Sequence, residues 1–499
     1  MLYWKKRGNP DRSNRAFLSV IKNSFFGNTI SKRGLKIKLG IDMKTAWMQK
    51  EKNSIKGTMF TGKQLRLLIY PLIIEQILAV TVGMVDTMMI SYAGEEAMSG
   101  VSLVDMINNL LISIFAAIAT GGAVVVSQYL GHKDEKMSGK AAEQLITVST
   151  LIALGFTVFS IVFRGPVLSL LFGKVEAEVM ENALVYFLIS AYSFPFLAIF
   201  NACAAIYRSM GNSKISMQVS VGMNIFNAIG NAILIFGFQM GSAGAALSTL
   251  AARMVAAIYM MVLVARKDNQ VTVRYSRLFT LDHSMAGRIL HVAIPSGVEN
   301  GLFQLGRVLV VSIISLFGTA QIAANAVANN LDSMGCIAGQ AMNLAMITVV
   351  GQCMGAGEKQ QAVYYTKKLW KITYVITFCV NVVILFSLPW ILNIYTLSPE
   401  AYRYAYILVW IHNGIAILLW PTAFTMPNAL RAAGDVKFTM YISILSMGMF
   451  RIVFSIILGI YLGWGAIGVW IAMVIDWIFR ASMFVWRFCK KKWLEFKVI

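Results

Sequence analysis

From about residue 65 onward the chain reads as twelve long apolar runs separated by short polar turns. Their approximate spans are 65–92, 101–130, 137–163, 178–208, 214–238 and 243–265, then 287–316, 320–354, 362–393, 400–431, 437–461 and 466–489. A bilayer core about 30 Å thick needs roughly 20 apolar residues per spanning helix, and every run is long enough. No alternating apolar/polar pattern of the barrel type occurs, so each run is predicted to be a helix. The pattern predicts an all-α, polytopic membrane protein with twelve transmembrane helices.

Composition agrees with the pattern. Of 499 residues, 58 % are apolar types and 13 % are charged, against about 25 % charged in an ordinary soluble domain. A soluble chain of this length cannot bury so much apolar surface, and a disordered one would be poor in it. The balance of 44 Lys plus Arg against 23 Asp plus Glu gives a formal charge of +21. Such an excess suggests nucleic acid, but its placement points elsewhere. Turns after even-numbered runs hold Lys133, Lys136 and Lys140, Arg208 and Lys214, Arg266 and Lys267, Lys359, Arg431 and Lys437, and Lys490-Lys491-Lys492. Turns after odd-numbered runs, such as Gly94-Glu95-Glu96 and Ser398-Pro399-Glu400, are poor in Lys and Arg. The positive-inside rule then puts the basic turns and both termini in the cytoplasm, with lipid rather than nucleic acid as the partner. Residues 1–60 read as a basic cytoplasmic arm, either held on anionic lipid or a dispensable extension. The five cysteines stand singly, and no metal site is expected.

The chain also repeats itself. Pro71 and Glu75 recur as Pro295 and Glu299 at an offset of 224 residues, as do Gly94 and Gly318, Gln128 and Gln352, and Gly131 and Gly355. Arg208 and Lys214 recur as Arg431 and Lys437 at 223. Composition alone does not keep Pro, Glu, Gln, Gly and Arg in register. Two six-helix lobes related by pseudo-two-fold symmetry follow, with substrate handled between them. The expected division is 61–267 for the N-terminal lobe, 268–284 for a cytoplasmic linker and 285–499 for the C-terminal lobe with its basic tail.

Acids inside spans cost roughly 2.5–3.5 kcal/mol each at the helix centre and mark function. Asp86 lies about two-thirds along the first run, where a proton and a cationic cargo would compete for one carboxylate. Asn227 and Asn231, four apart, share a face of the fifth helix. They either reach Asp86 or make interhelical amide bonds. Glu299 is either a second titrating or substrate-attracting site or, with Glu75, a shared structural feature. Arg307 lies eight residues further, about 12 Å along the helix, and each of the two could also pair elsewhere. The opposite charges of Arg451, Asp476 and Arg480 are expected to neutralise one another. Tyr192, Met88, Met89, Met223, Trp420, Phe424 and Met426 either line a polarisable pocket or face lipid and neighbouring helices. No HExxH, GxSxG or GxxxxGK[ST] motif occurs. That argues against an enzyme and against ATP as the energy source, and leaves an ion gradient.

Several stretches carry a resemblance when taken in order. They are Pro71-Leu-Ile-Ile-Glu75, Gly83-Met-Val-Asp86, Gln128-Tyr-Leu-Gly131, Arg208 with Gly211, Gly241-Ser-Ala-Gly244, Leu430-Arg-Ala-Ala-Gly434 and Gly468-Val-Trp-Ile-Ala-Met. Over roughly residues 60–490 their spacing resembles the bacterial branch of the multidrug and toxin extrusion (MATE) family. The resemblance implies a secondary antiporter of the bacterial inner membrane, monomeric and without cofactor. It would export small cationic amphipathic compounds and drugs in exchange for H+, or Na+, by alternating access. Asp86 then matches the family's first-helix acid. Where the family often has an aspartate this chain has Asn231, which favours a proton over a two-carboxylate sodium cage. Some members carry a deeper seventh-helix glutamate where this chain has Gln304, so the resemblance does not assign Glu299. The alternative is a lipid-linked oligosaccharide flippase of the related fold, for which more helices and a cation-rich cavity are expected.

Overall fold

A computed structural model of the chain describes residues 58–173, 175–278, 280–395 and 397–499. The basic arm predicted over residues 1–60 lies outside the described residues except for its last three. Twelve long apolar helices follow: α1 Gly62–Ser91, α2 Glu95–Gly131, α3 Glu135–Phe172, α4 Ala177–Ser209, α5 Ser213–Gly237 and α6 Gly241–Val264 form the N-terminal half. The C-terminal half holds α7 His283–Phe317, α8 Thr319–Gly355, α9 Lys359–Ile394, α10 Pro399–Ala433, α11 Val436–Tyr461 and α12 Gly465–Cys489. Among the described residues there is no strand. Large apolar side chains nearer the middle of the spans, such as Ile258, Val375 and Phe378, are exposed, where a lipid solvent favours them.

Two borders differ from the sequence reading by more than four residues. α2 begins at Glu95 rather than near 101, because Glu95 and Glu96 sit in its first turn, where the helix dipole favours negative charge. α3 runs to Phe172 through Arg164 and Pro166 rather than stopping at 163. Arg164 lies about 43 Å along the axis from Glu135, beyond the hydrocarbon core, so its charge does not have to end the helix there.

The first helix of each half crosses to the other half. Leu65, Leu68, Ile69 and Leu72 of α1 pack into the core built by α8, α9, α10 and α12. Met285, Ile289, Val292 and Ala293 of α7 pack into the core of α2–α6. The contacts of α1 with α8 are thus mirrored by those of α7 with α2.

At the end carrying the basic turns the halves meet closely. Gln128 Nε2 donates to Ala432 O at 2.8 Å, and Gln352 Nε2 donates to Ser209 O at 2.6 Å. A Cβ on Gly131 would fall 2.0 Å from Gln352 O, and one on Gly355 1.8 Å from Gln128 O. Only glycine lets α2 and α8 cross this closely. The repeated Gln and Gly of the sequence are therefore the symmetric contact that shuts this end. The repeated Gly94 and Gly318 have φ of +111° and +94°, a conformation side chains disfavour, and they start α2 and α8.

Candidate ion and substrate sites

Two cavities flank α1. The first, about 470 Å³, lies among α1, α2, α4, α5 and α6. Asp86 is half-buried in its wall. Asn231 Nδ2 donates to Asp86 Oδ1 at 2.8 Å, and its own Oδ1 is buried without a hydrogen-bond partner. Asn227 also lines the cavity, but its amide donates to Thr249 Oγ1 at 3.1 Å. The shared face read from the sequence thus brings Asn231, not Asn227, to the carboxylate.

The cavity holds two charged groups that sequence reasoning passed over. Asp105 of α2 faces it, with Asn108 Nδ2 and Tyr186 OH each at 3.4 Å from Oδ1. Arg253 of α6 faces it as well, its guanidinium held by Ser193 Oγ at 2.7 Å. Both interact electrostatically with Asp86. The signal that finds them is the cost of any charge inside a span, which applies to Asp105 and Arg253 as much as to Asp86. Two carboxylates and one guanidinium give this cavity a formal charge of −1. Asp105 also supplies a second carboxylate to the lobe, which Asn231 alone had seemed to remove.

The other acidic candidates are paired. Glu75 receives Arg208 Nη1 at 3.5 Å and Ser216 Oγ at 3.2 Å. Glu299 Oε2 forms an ion pair with Arg431 Nη2 at 2.6 Å, and its Oε1 accepts from Ser443 Oγ at 2.5 Å. The repeat thus carries the same Glu–Arg tie in both halves. The partner of Glu299 is Arg431, and not the Arg307 eight residues away. Glu75 lies about 17 Å along α1 from Asp86 and does not line the first cavity. Gln304 donates to Ser113 Oγ of α2 at 3.2 Å, bridging the halves.

The second cavity, about 400 Å³, lies on the C-terminal side. Glu299, Arg307, Asp332, Arg431, Arg451 and Arg480 line it with Phe303, Trp420, Phe424 and Trp477. Asp476, fully buried behind them, pairs with Arg451 at 3.2 Å and Arg480 at 3.1 Å, so the expected neutralisation between α11 and α12 is present. His412 Nδ1 lies 3.1 Å from Asp332 Oδ1 but out of line for a hydrogen bond. Among the aromatic and Met candidates, Met223 lines the first cavity and Trp420 and Phe424 the second, whereas Met88 and Tyr192 are exposed and line neither. Among the described residues no group of three His, Cys, Asp or Glu side chains is placed to hold a metal ion.

A family model described as MatE matches residues 71–233 and again 295–457. The chain belongs to the MATE family. The double match has the 224-residue offset of the repeat, so each half carries the MATE unit once. Among curated relatives, the chain is 29 % identical to the uncharacterized transporter YisQ of Bacillus subtilis, over 86 % of this chain and 94 % of that one. It is 26 % identical to the probable multidrug resistance protein NorM of Thermotoga maritima, over 86 % and 93 %. The fold is similar to a solved multidrug-resistance MATE transporter in an outward-facing conformation, with TM-score 0.81, 19 % identity and coverage of 87 % and 97 %. It is also similar to a MATE crystal structure in a bent conformation, with TM-score 0.79, 18 % identity and coverage of 87 % and 99 %. This MATE chain is accordingly a multi-pass membrane protein of a secondary transporter family.

Proposed function

We propose that this protein is a multidrug efflux antiporter of the bacterial inner membrane, with both termini cytoplasmic. It exports cationic amphipathic compounds in exchange for H+, or Na+, by alternating access. The observation that carries the reading is the first cavity, where Asp86 and Asp105 outnumber Arg253 and leave one negative charge. With both acids ionised the cavity attracts a cation. Binding of one H+ or Na+ makes it neutral and removes that attraction, so cargo and coupling ion exclude each other. Asn231 suits both states, since its amide donates to the carboxylate and its free carbonyl oxygen can accept from a protonated acid or ligate sodium.

Exchange is tested in proteoliposomes with ethidium as cargo, under an imposed proton or sodium gradient. Asp86→Asn is expected to abolish gradient-driven ethidium movement while folded protein remains in the membrane. Wild-type exchange by that variant overturns the assignment.

The flippase reading draws on one observation, the guanidinium-rich second cavity. A lipid-linked diphosphate needs several uncommitted cations, and acids hold Arg431, Arg451 and Arg480. Efflux is the better-supported reading.

A further inference from the structure

The second cavity has the opposite charge balance from the first, and the efflux reading leaves it without a role. We propose that it is a subsite for the carboxylate of an aromatic cargo, with Arg307 as the anchoring cation. The proposal rests on the efflux reading and deepens it by adding aromatic carboxylates to the substrate class.

Four guanidinium groups line the cavity. Glu299 engages Arg431, and Asp476 engages both Arg451 and Arg480. Arg307 has no ion-pair or hydrogen-bond partner among the described residues, and its side chain is exposed in the wall of the cavity. Asp332, the remaining acid, accepts from Cys336 Sγ at 3.2 Å and lies against His412. Counting Asp332 and Asp476, four guanidinium groups face three carboxylates, an excess of one positive charge. One monoanion completes the set, and a planar carboxylate fits the fork of a guanidinium in two parallel hydrogen bonds.

The rest of the wall selects the body of the ligand. Trp420 stacks on Phe424 with ring centroids 5.3 Å apart, and Phe303 meets Phe424 edge-on at 6.1 Å. A flat arene packs against such surfaces, and a volume of about 400 Å³ lies in the range that encloses a drug-sized molecule. The feature is particular to this half. At the repeat offset Arg307 stands where the first half has Gly83, and Asn329 where it has Asp105.

The test uses the full chain in phosphatidylcholine nanodiscs and compares calorimetric binding of naphthalene-2-carboxylate with that of its neutral carboxamide. Wild type is expected to bind the carboxylate about tenfold more tightly or better. Arg307→Gln brings the two ligands within about twofold of each other, and its unchanged affinity for the carboxamide reports an intact cavity. Arg307→Lys keeps a preference for the carboxylate. Equal binding of the two ligands by wild type, or a preference that survives Arg307→Gln, overturns the proposal. Including phosphatidic acid in the nanodiscs is expected to leave carboxylate binding in place, and displacement would reassign the cation to a lipid phosphate and overturn the cargo reading. Asp86→Asn is expected to retain the carboxylate preference, because Asp86 lies in the other cavity. Failure of the subsite therefore shows in the binding preference, and failure of the efflux mechanism shows in ethidium exchange.

Discussion

Where the basic turns cluster, the two halves of this MATE protein are close copies. Glu75 and Arg208 in one are matched by Glu299 and Arg431 in the other, and Gln128 with Gly131 by Gln352 with Gly355. In the cavities the same offset pairs Asp86 with Val310, Asp105 with Asn329 and Gly83 with Arg307. The frame that closes one end and ties helices together has been kept, while the polar groups lining the two cavities have diverged to opposite charge. A duplicated transporter can in this way keep one set of moving parts and acquire two chemically distinct walls.

The comparison is broken most strongly at the ion pairs. Arg431→Ala strands Glu299 in a buried site and is expected to cost about 3–5 kcal/mol, read as a lower melting temperature of the purified protein. Arg208→Ala is expected to cost less, since its contact with Glu75 is 3.5 Å against 2.6 Å for Arg431 with Glu299. Equal losses would mean that the two ties are energetically equivalent despite their geometry.

A smaller effect sharpens it at the glycines. Gly355→Ala forces a methyl group onto Gln128 O and is expected to cost about 1–3 kcal/mol in the arrangement closed at this end. Spin labels on Lys133 and Lys359 should then report a population with the ends further apart. Gly131→Ala should do the same, because its contact with Gln352 O is the symmetric one. A shift in one variant and not the other would show that closure is not shared between the halves.

Most of the architecture was legible because a spanning helix is specified locally, by about twenty apolar residues and a polar border. Of the two exceptions, the early start of α2 lay in acids read as turn, and the extension of α3 past Arg164 arose where a charge lies beyond the core and no longer marks an end. The repeat was legible in the register of Glu75, Gln128, Gly131 and Arg208 with their copies. What those residues do was not, since Gln128 meets Ala432 and Gln352 meets Ser209 across 304 and 143 residues, and spacing carries no record of such encounters. Asp86 was legible from the rarity of membrane acids, but helical spacing offered Asn227 and Asn231 alike, and only the packed bundle brings Asn231 to the carboxylate. Asp105 and Arg253 carried the same signal of a costly charge, but their meaning depends on which cavity they face. The partner of Glu299 likewise depends on how α7 packs against α10 and α11, information that resides only in the assembled bundle.

The central claim is that cargo and coupling ion exclude one another at Asp86. Its most direct measurement is the dissociation constant of ethidium for the purified protein as pH is lowered, and separately as sodium is raised. In wild type, ethidium binding should weaken along one of these two series, approaching tenfold per tenfold rise in the coupling ion once the acid is mostly occupied. In Asp86→Asn, ethidium should bind more weakly and show no such dependence. An unchanged dependence in the variant, or none in wild type, would contradict the account.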